Sequence, residues 1–128
     1  MRKLVSSGSP LEPVIGFSRA VRAGPYVVVA GTAPIAEGGG TACPGDVAGQ
    51  TRRCFEIAEA ALIEAGASRK DVIRTRMMLT DITRWREAAD VHGEWFVGVR
   101  PACTFVEVKG FIDPAWLVEI EIDAVVGE

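Results

Sequence analysis

Tyr26-Val27-Val28-Val29-Ala30 follows the turn signal Gly24-Pro25 and reads as a β-strand with apolar side chains on both faces. Upstream, a polar stretch from Ser6 to Pro13 leads into the apolar-alternating segment Phe17 to Ala23, which predicts a preceding strand. Downstream, Glu37-Gly38-Gly39-Gly40 and Pro44-Gly45 form a connection; no Gly-Lys-Ser/Thr follows these glycines, so they read as a flexible loop and not as a phosphate cradle. Asp46 can cap a helix running to about Ala65, in which Cys54, Phe55, Ala58, Ala61, Leu62 and Ala65 share one face and Gly66 supplies the stop. Asp71 to Thr80 reads as a strand. Thr83 is then expected to cap a second helix with the stripe Trp85, Ala88, Ala89, His92, Trp95 and Phe96. Pro101 ends that region, and strands follow near Cys103 to Val108 and Leu117 to Val125, with Asp113-Pro114 in the turn between them.

The resulting order is β-β-α-β-α-β-β, a mixed α+β sheet with two helices on one face. Tyr26 to Ala30 carries apolar side chains on both faces, and Phe105 and Val106 likewise put bulk on each side. A second apolar face with no helix left to cover it predicts burial against another subunit.

The 128 residues form one expected domain, 1–128, long enough to bury about two-thirds of its unfolded surface without disulfide or metal. Fourteen basic and seventeen acidic side chains leave a net charge of -3, which argues against nucleic acid as a partner because phosphate binding needs an excess of Lys and Arg. No apolar run approaches the roughly 20 residues of a membrane span, and the opening Met-Arg-Lys-Leu-Val-Ser-Ser-Gly-Ser-Pro lacks a signal-peptide core. The three cysteines form no metal-type pair and cannot all pair internally, which predicts a reduced, cytoplasmic protein.

Several stretches resemble the Rid/YjgF family of reactive-intermediate deaminases, also described as endoribonuclease L-PSP-like. They are Ala30-Gly31-Thr32-Ala33-Pro34-Ile35, Asp46-Val47-Ala48-Gly49-Gln50, Ala65-Gly66-Ala67-Ser68 through Asp71-Val72-Ile73, Arg100-Pro101-Ala102, Val106-Glu107-Val108 and Leu117-Val118-Glu119-Ile120-Glu121. The similarity runs from about Gly16 to Val125. It implies a chorismate-mutase-like fold, a homotrimer with small-molecule sites in clefts between subunits, and no metal or organic cofactor. It also implies hydrolysis of enamines and imines such as 2-aminoacrylate to a 2-keto acid and ammonia. The family's carboxylate-gripping arginine follows Pro-Ala; here that position is Cys103, followed by Thr104. A thiol cannot replace a guanidinium fork. The family's first-strand tyrosine falls at Phe17 or Ser18. Its water-orienting acid matches Glu119, and its backbone donors match Gly31 and Thr32.

Glu119, Glu121 and Asp123 alternate on one strand face; the latter two read as solvated or paired with Arg74 and Arg76, and the motif match assigns Glu119 to catalysis. His92 reads first as a core histidine, and second as the partner that would activate the Cys103 thiol, itself otherwise a small buried hydrophobe. Arg19 and Arg100 are the candidates to take over the missing anchor, Thr104 joins them as a binding residue, and Trp116 either lines a pocket or covers the core. The expected function is hydrolysis of a small reactive enamine or imine. The alternative is a non-catalytic small-molecule-binding trimer of the same fold, and a ribonuclease or translation inhibitor comes third.

Overall fold

The computed structural model describes residues 2–127. Its centre is a six-stranded sheet of β1 (Arg2–Val5), β2 (Ala20–Ala23), β3 (Tyr26–Thr32), β4 (Val72–Leu79), β5 (Ala102–Glu107) and β6 (Val118–Val125), in the spatial order β1-β2-β3-β6-β4-β5. Only β4 and β5 run parallel, because the helix between them carries the chain back along the sheet. A short helix α1 (Leu11–Ile15) precedes β2, and α2 (Val47–Glu64) and α3 (Trp85–Trp95) are the two long helices.

The mixed α+β architecture agrees with the sequence reading, with two additions and two corrections. Arg2–Val5 pairs antiparallel with Ala20–Ala23 and forms an edge strand where no element was expected, and Leu11–Ile15, which begins inside the stretch read as polar, is helical. The strand predicted from Phe17 starts only at Ala20, which leaves Phe17 and Arg19 just outside the sheet. The second helix is capped differently from the expectation. Asp81, not Thr83, accepts the backbone N–H of Thr83 at 3.0 Å, and the Thr83 hydroxyl donates to the same carboxylate at 2.6 Å. Thr83 therefore sits inside a 3₁₀ turn, Ile82–Arg84, which leads into α3.

Helix α2 follows its sequence signals closely. Asp46 accepts the Gly49 N–H at 3.0 Å, and Gly66, at φ 90°, adopts the left-handed conformation just beyond the end. Its buried stripe, Gln50, Cys54, Phe55, Ala58, Ala61 and Leu62, packs on β3 and β6. There it meets Val27, Val29, Ile120 and Ile122, all facing inward by strand alternation. Phe55 is fully buried, stacked on Trp95 at 5.6 Å and edge-on to Phe96 at 5.4 Å and His92 at 5.9 Å.

The face opposite the helices is uncovered in one chain. Leu4, Tyr26, Val28, Ile73 and Val106 are exposed there or along the sheet's edges. The face is not uniformly apolar: next to the Val28 side, β6 and β4 carry an ion pair between Glu121 and Arg76 and place Asp123 opposite Arg74.

Candidate functional site

A break in sheet pairing builds the site. The β3–β6 register runs from Val29 opposite Ile122 to Thr32 opposite Ile120, so Ala30 and Gly31 fall outside the regular ladder. This bulge faces Glu119, one residue before Ile120. A Cβ on residue 31 would lie 2.9 Å from Glu119 Oε1, so the carboxylate occupies space that only a glycine leaves free. Gly31→Ala is expected to cost under about 1 kcal/mol in urea unfolding, since the clash is with a movable side-chain tip.

The bulge opens onto a cleft of about 600 Å³ whose walls include Arg19, Gly31, Thr32 and Glu119. Apolar side chains from three parts of the chain complete it: Leu11 and Ile15 of α1, Ile57 of α2, and Ile112 and Trp116 of the loop before β6. Phe17 also lines the cleft and Ser18 does not. Trp116, left between pocket and core by sequence, belongs to the cleft wall, with its Nε1 buried and lacking a protein partner.

Arg19 is 8 % exposed. Its Nη1 donates to Gly31 O at 2.6 Å and Thr32 Oγ1 at 3.1 Å, and its guanidinium lies over the Phe17 ring at 5.2 Å. Burial lowers its pKa, and the charges of Glu12 and Glu119 oppose that shift. Burial likewise pushes the Glu119 carboxyl above its ordinary value of 4.5; Arg19 pulls against this and Glu121 adds to it. A half-buried carboxyl of raised pKa beside an opened backbone is suited to accept a proton from water.

The other candidates are placed elsewhere in the single chain. His92 Nε2 lies 2.7 Å from Thr75 Oγ1, and Thr75 is paired with Cys103 across β4 and β5. The second sequence reading paired His92 with Cys103 as an activated thiolate, the first being a core histidine. The structure instead gathers both around a buried threonine, and desolvation favours the neutral form of each. Burial lowers the His92 pKa; burial also raises that of Cys103, with a Thr75 hydrogen bond opposing it. Phe105, on the same strand as Cys103, meets Trp85 edge-on at 6.3 Å. Cys103 and Thr104 are exposed on the edge strand β5, and Arg100 is exposed beside it at φ 53°. None of these four lines the cleft of its own chain. Among Glu121 and Asp123, the expected pairing holds for Glu121 with Arg76.

Sequence reading quoted Gln50 only as part of a motif. Its buried amide holds the cleft loop to α2: Nε2 donates to Ala115 O at 3.1 Å, and Oε1 accepts the Leu117 N–H at 2.8 Å. The signal was present, since a glutamine four residues before Cys54 lies on the helix's apolar stripe. Gln50→Ala strands two backbone groups and is expected to cost about 1–3 kcal/mol in urea unfolding. It should also loosen the Trp116 wall.

The chain belongs to the Rid/YjgF family: the profile described as Endoribonuclease L-PSP matches residues 8–126. The chain is 49 % identical to a crystal structure from Mycobacterium tuberculosis described as a member of the YjgF/YER057c/UK114 family, with a TM-score of 0.89 covering 98 % of this chain and 100 % of that one. An uncharacterised protein of Streptomyces coelicolor is 42 % identical over 94 % of this chain and 89 % of its own length. A protein of Acinetobacter baylyi named 3-aminoacrylate deaminase is 33 % identical over 91 % of each chain.

Proposed function

We propose that this protein hydrolyses a small reactive enamine or imine, releasing ammonia, at the cleft around Glu119. The observation that carries the reading is the half-buried Glu119 carboxylate at the Gly31 bulge, inside a largely apolar cleft. Similarity to a protein named 3-aminoacrylate deaminase supports the reaction class.

In this reading an enamine first takes a proton on carbon to become an iminium ion. Glu119 accepts a proton from water as the hydroxide adds to the iminium carbon. Proton return to nitrogen then breaks the C–N bond, giving a carbonyl compound and ammonia. In this reading the backbone N–H groups of Gly31 and Thr32, at the break in the β3–β6 ladder, serve as donors to the oxygen of the adding water. Three copies assemble through the uncovered sheet face, where Leu4, Tyr26 and Val28 would leave water. The neighbouring copy's edge completes the cleft. Cys103, Thr104, Arg100 and His92 enter the site only by that route. Exposed thiols at Cys43 and Cys103 suit a reducing, cytoplasmic setting.

Ammonia release from freshly generated 2-aminoacrylate and from a bulkier imine tests the reaction. Acceleration lost on replacing Glu119 supports it, and silence on every imine removes it. Mass in solution tests the assembly: three times 13.7 kDa is expected, and a clean monomer overturns it. A non-catalytic binding trimer is the second reading, favoured by Cys103 standing where the resemblance expects arginine. The third, action on RNA, finds little support in a net charge of -3.

A further inference from the structure

We propose that Arg19 is the carboxylate anchor of the cleft, and that the substrate is a 2-imino acid with a branched hydrocarbon side chain. The proposal rests on the deaminase reading for its reaction, and on Arg19 and the cleft walls for its substrate class.

Arg19 is 8 % exposed, yet among the described residues no carboxylate forms an ion pair with it. Glu12 and Glu119 act on its charge only from beyond ion-pair distance. Both hydrogen bonds of its guanidinium leave from Nη1, to Gly31 O and Thr32 Oγ1. They fix the group in place and leave its Nε–Nη2 edge without a protein acceptor; Nε is buried and unpartnered. A guanidinium is always charged, and a buried charge left unpaired carries a penalty that an entering anion removes. The free edge presents parallel N–H groups, the geometry that takes a carboxylate bidentately. Among the described residues, the other buried side-chain nitrogen without a partner is Trp116 Nε1, and Trp116 lines the same cleft. Both orphans are donors, so the missing partner is an acceptor. The ionisable lining of the cleft, Arg19, Glu37, Arg53 and Glu119, is balanced in charge. Arg53 is taken up by Ile35 O at 2.6 Å and Glu56 at 3.2 Å, and Glu37 is exposed. Arg19 and Glu119 remain as the interior charges. A 2-imino acid in its protonated form matches them, with its carboxylate on Arg19 and its iminium towards Glu119. The remaining wall, Leu11, Ile15, Ile57 and Ile112 with Phe17, is apolar and receives a hydrocarbon side chain.

Calorimetry compares 4-methyl-2-oxopentanoate, the keto acid of leucine, with 4-methylpentan-2-one, which keeps the isobutyl ketone and replaces the carboxylate by methyl. Wild-type protein should bind the keto acid about tenfold or more tightly than the ketone, the effect of a charge-assisted bidentate contact. Arg19→Lys keeps the charge and removes the fork, and should cut that ratio to about threefold or less. Pyruvate, which has the carboxylate but no hydrocarbon body, should bind about tenfold or more weakly than 4-methyl-2-oxopentanoate. A second readout needs no variant to fold. In wild-type protein labelled at the arginine side-chain nitrogens, the keto acid should shift the Arg19 Nε–H resonance and the ketone should not. Turnover is read on the imine that an amino-acid oxidase forms from leucine. Hydrolysis converts its C=N to C=O with one water in and one ammonia out. Arg19→Lys should raise KM about tenfold with a smaller change in kcat.

Equal binding of keto acid and ketone, an unchanged ratio in Arg19→Lys, or a shift at Arg100 in place of Arg19 overturns the anchor. Pyruvate binding as tight as that of 4-methyl-2-oxopentanoate overturns the hydrocarbon side chain. Keto-acid preference with the Arg19 shift, but no acceleration of the leucine-derived imine, supports the anchor and overturns the deaminase reading. Acceleration without that preference overturns the anchor and leaves the deaminase reading in place.

Discussion

On the proposed reaction, Glu119→Gln is expected to slow imine hydrolysis by about 10²–10⁴-fold, the range for removal of a positioned general base, while the protein elutes unchanged. Glutamine keeps the shape and the contact with Gly31 but cannot take a proton from water. Stability should change by no more than about 1 kcal/mol, because the loss of Arg19's charge partner is offset by relief from burying a carboxylate. The pH dependence separates this role from a structural one. Desolvation raises the Glu119 pKa, so kcat/KM in the wild type should fall as pH drops, with the acid limb lying above the ordinary value of 4.5. The stability effect has the opposite sense. A folded state that holds its proton to higher pH than the unfolded chain loses stability as pH rises between the two pKa values, and keeps a constant deficit above them. The Gln variant should lack both the acid limb and that slope. Unchanged turnover in Glu119→Gln would remove this carboxylate from the mechanism.

Phe55→Ala is expected to lower unfolding free energy by about 3–5 kcal/mol, read as a lower urea midpoint at unchanged slope. Phe55 joins α2 to α3 through its contacts with Trp95, Phe96 and His92, and it has no exposed surface. Few alternative side chains can close such a space, because the same ring faces three aromatic groups at once. Trp85→Ala is the internal comparison: this ring is 43 % exposed, and its loss should cost under about 1 kcal/mol. Equal costs at the two positions would mean that the aromatic cluster is not the brace between the helices.

Much of the architecture was legible because its signals are local. Asp46, the apolar stripe of α2 and Gly66 announce that helix within one continuous segment, and the alternation of β6 does the same for a strand. The edge strand β1 carried no such signal: only Val5 of its four residues is buried, and pairing with β2 makes it a strand. Helix α1 is a single turn containing Pro13, held by Ser7 donating to Glu12 through its hydroxyl at 2.7 Å and its backbone at 3.0 Å. That is too short for periodicity to register. Thr83 misled as a cap because Asp81, two residues earlier, competes for the same backbone donors with a charged acceptor.

Residue types thus determined which groups could carry chemistry, and motif order assigned Glu119 its place, because hydrophobic periodicity and short motifs are properties of consecutive residues. Proximity across the chain is not such a property. Glu119 and Glu121 sit two apart on one strand, yet Glu121 pairs with Arg76 while Glu119 faces the bulge and the buried Arg19. The loop holding Trp116 is placed by Gln50, more than sixty residues away. Cys103 and His92 both lie against Thr75, where desolvation favours the neutral form of each, which no spacing encodes. Desolvation and charge balance depend on everything within a few ångströms, and the folded sheet alone decides what that is.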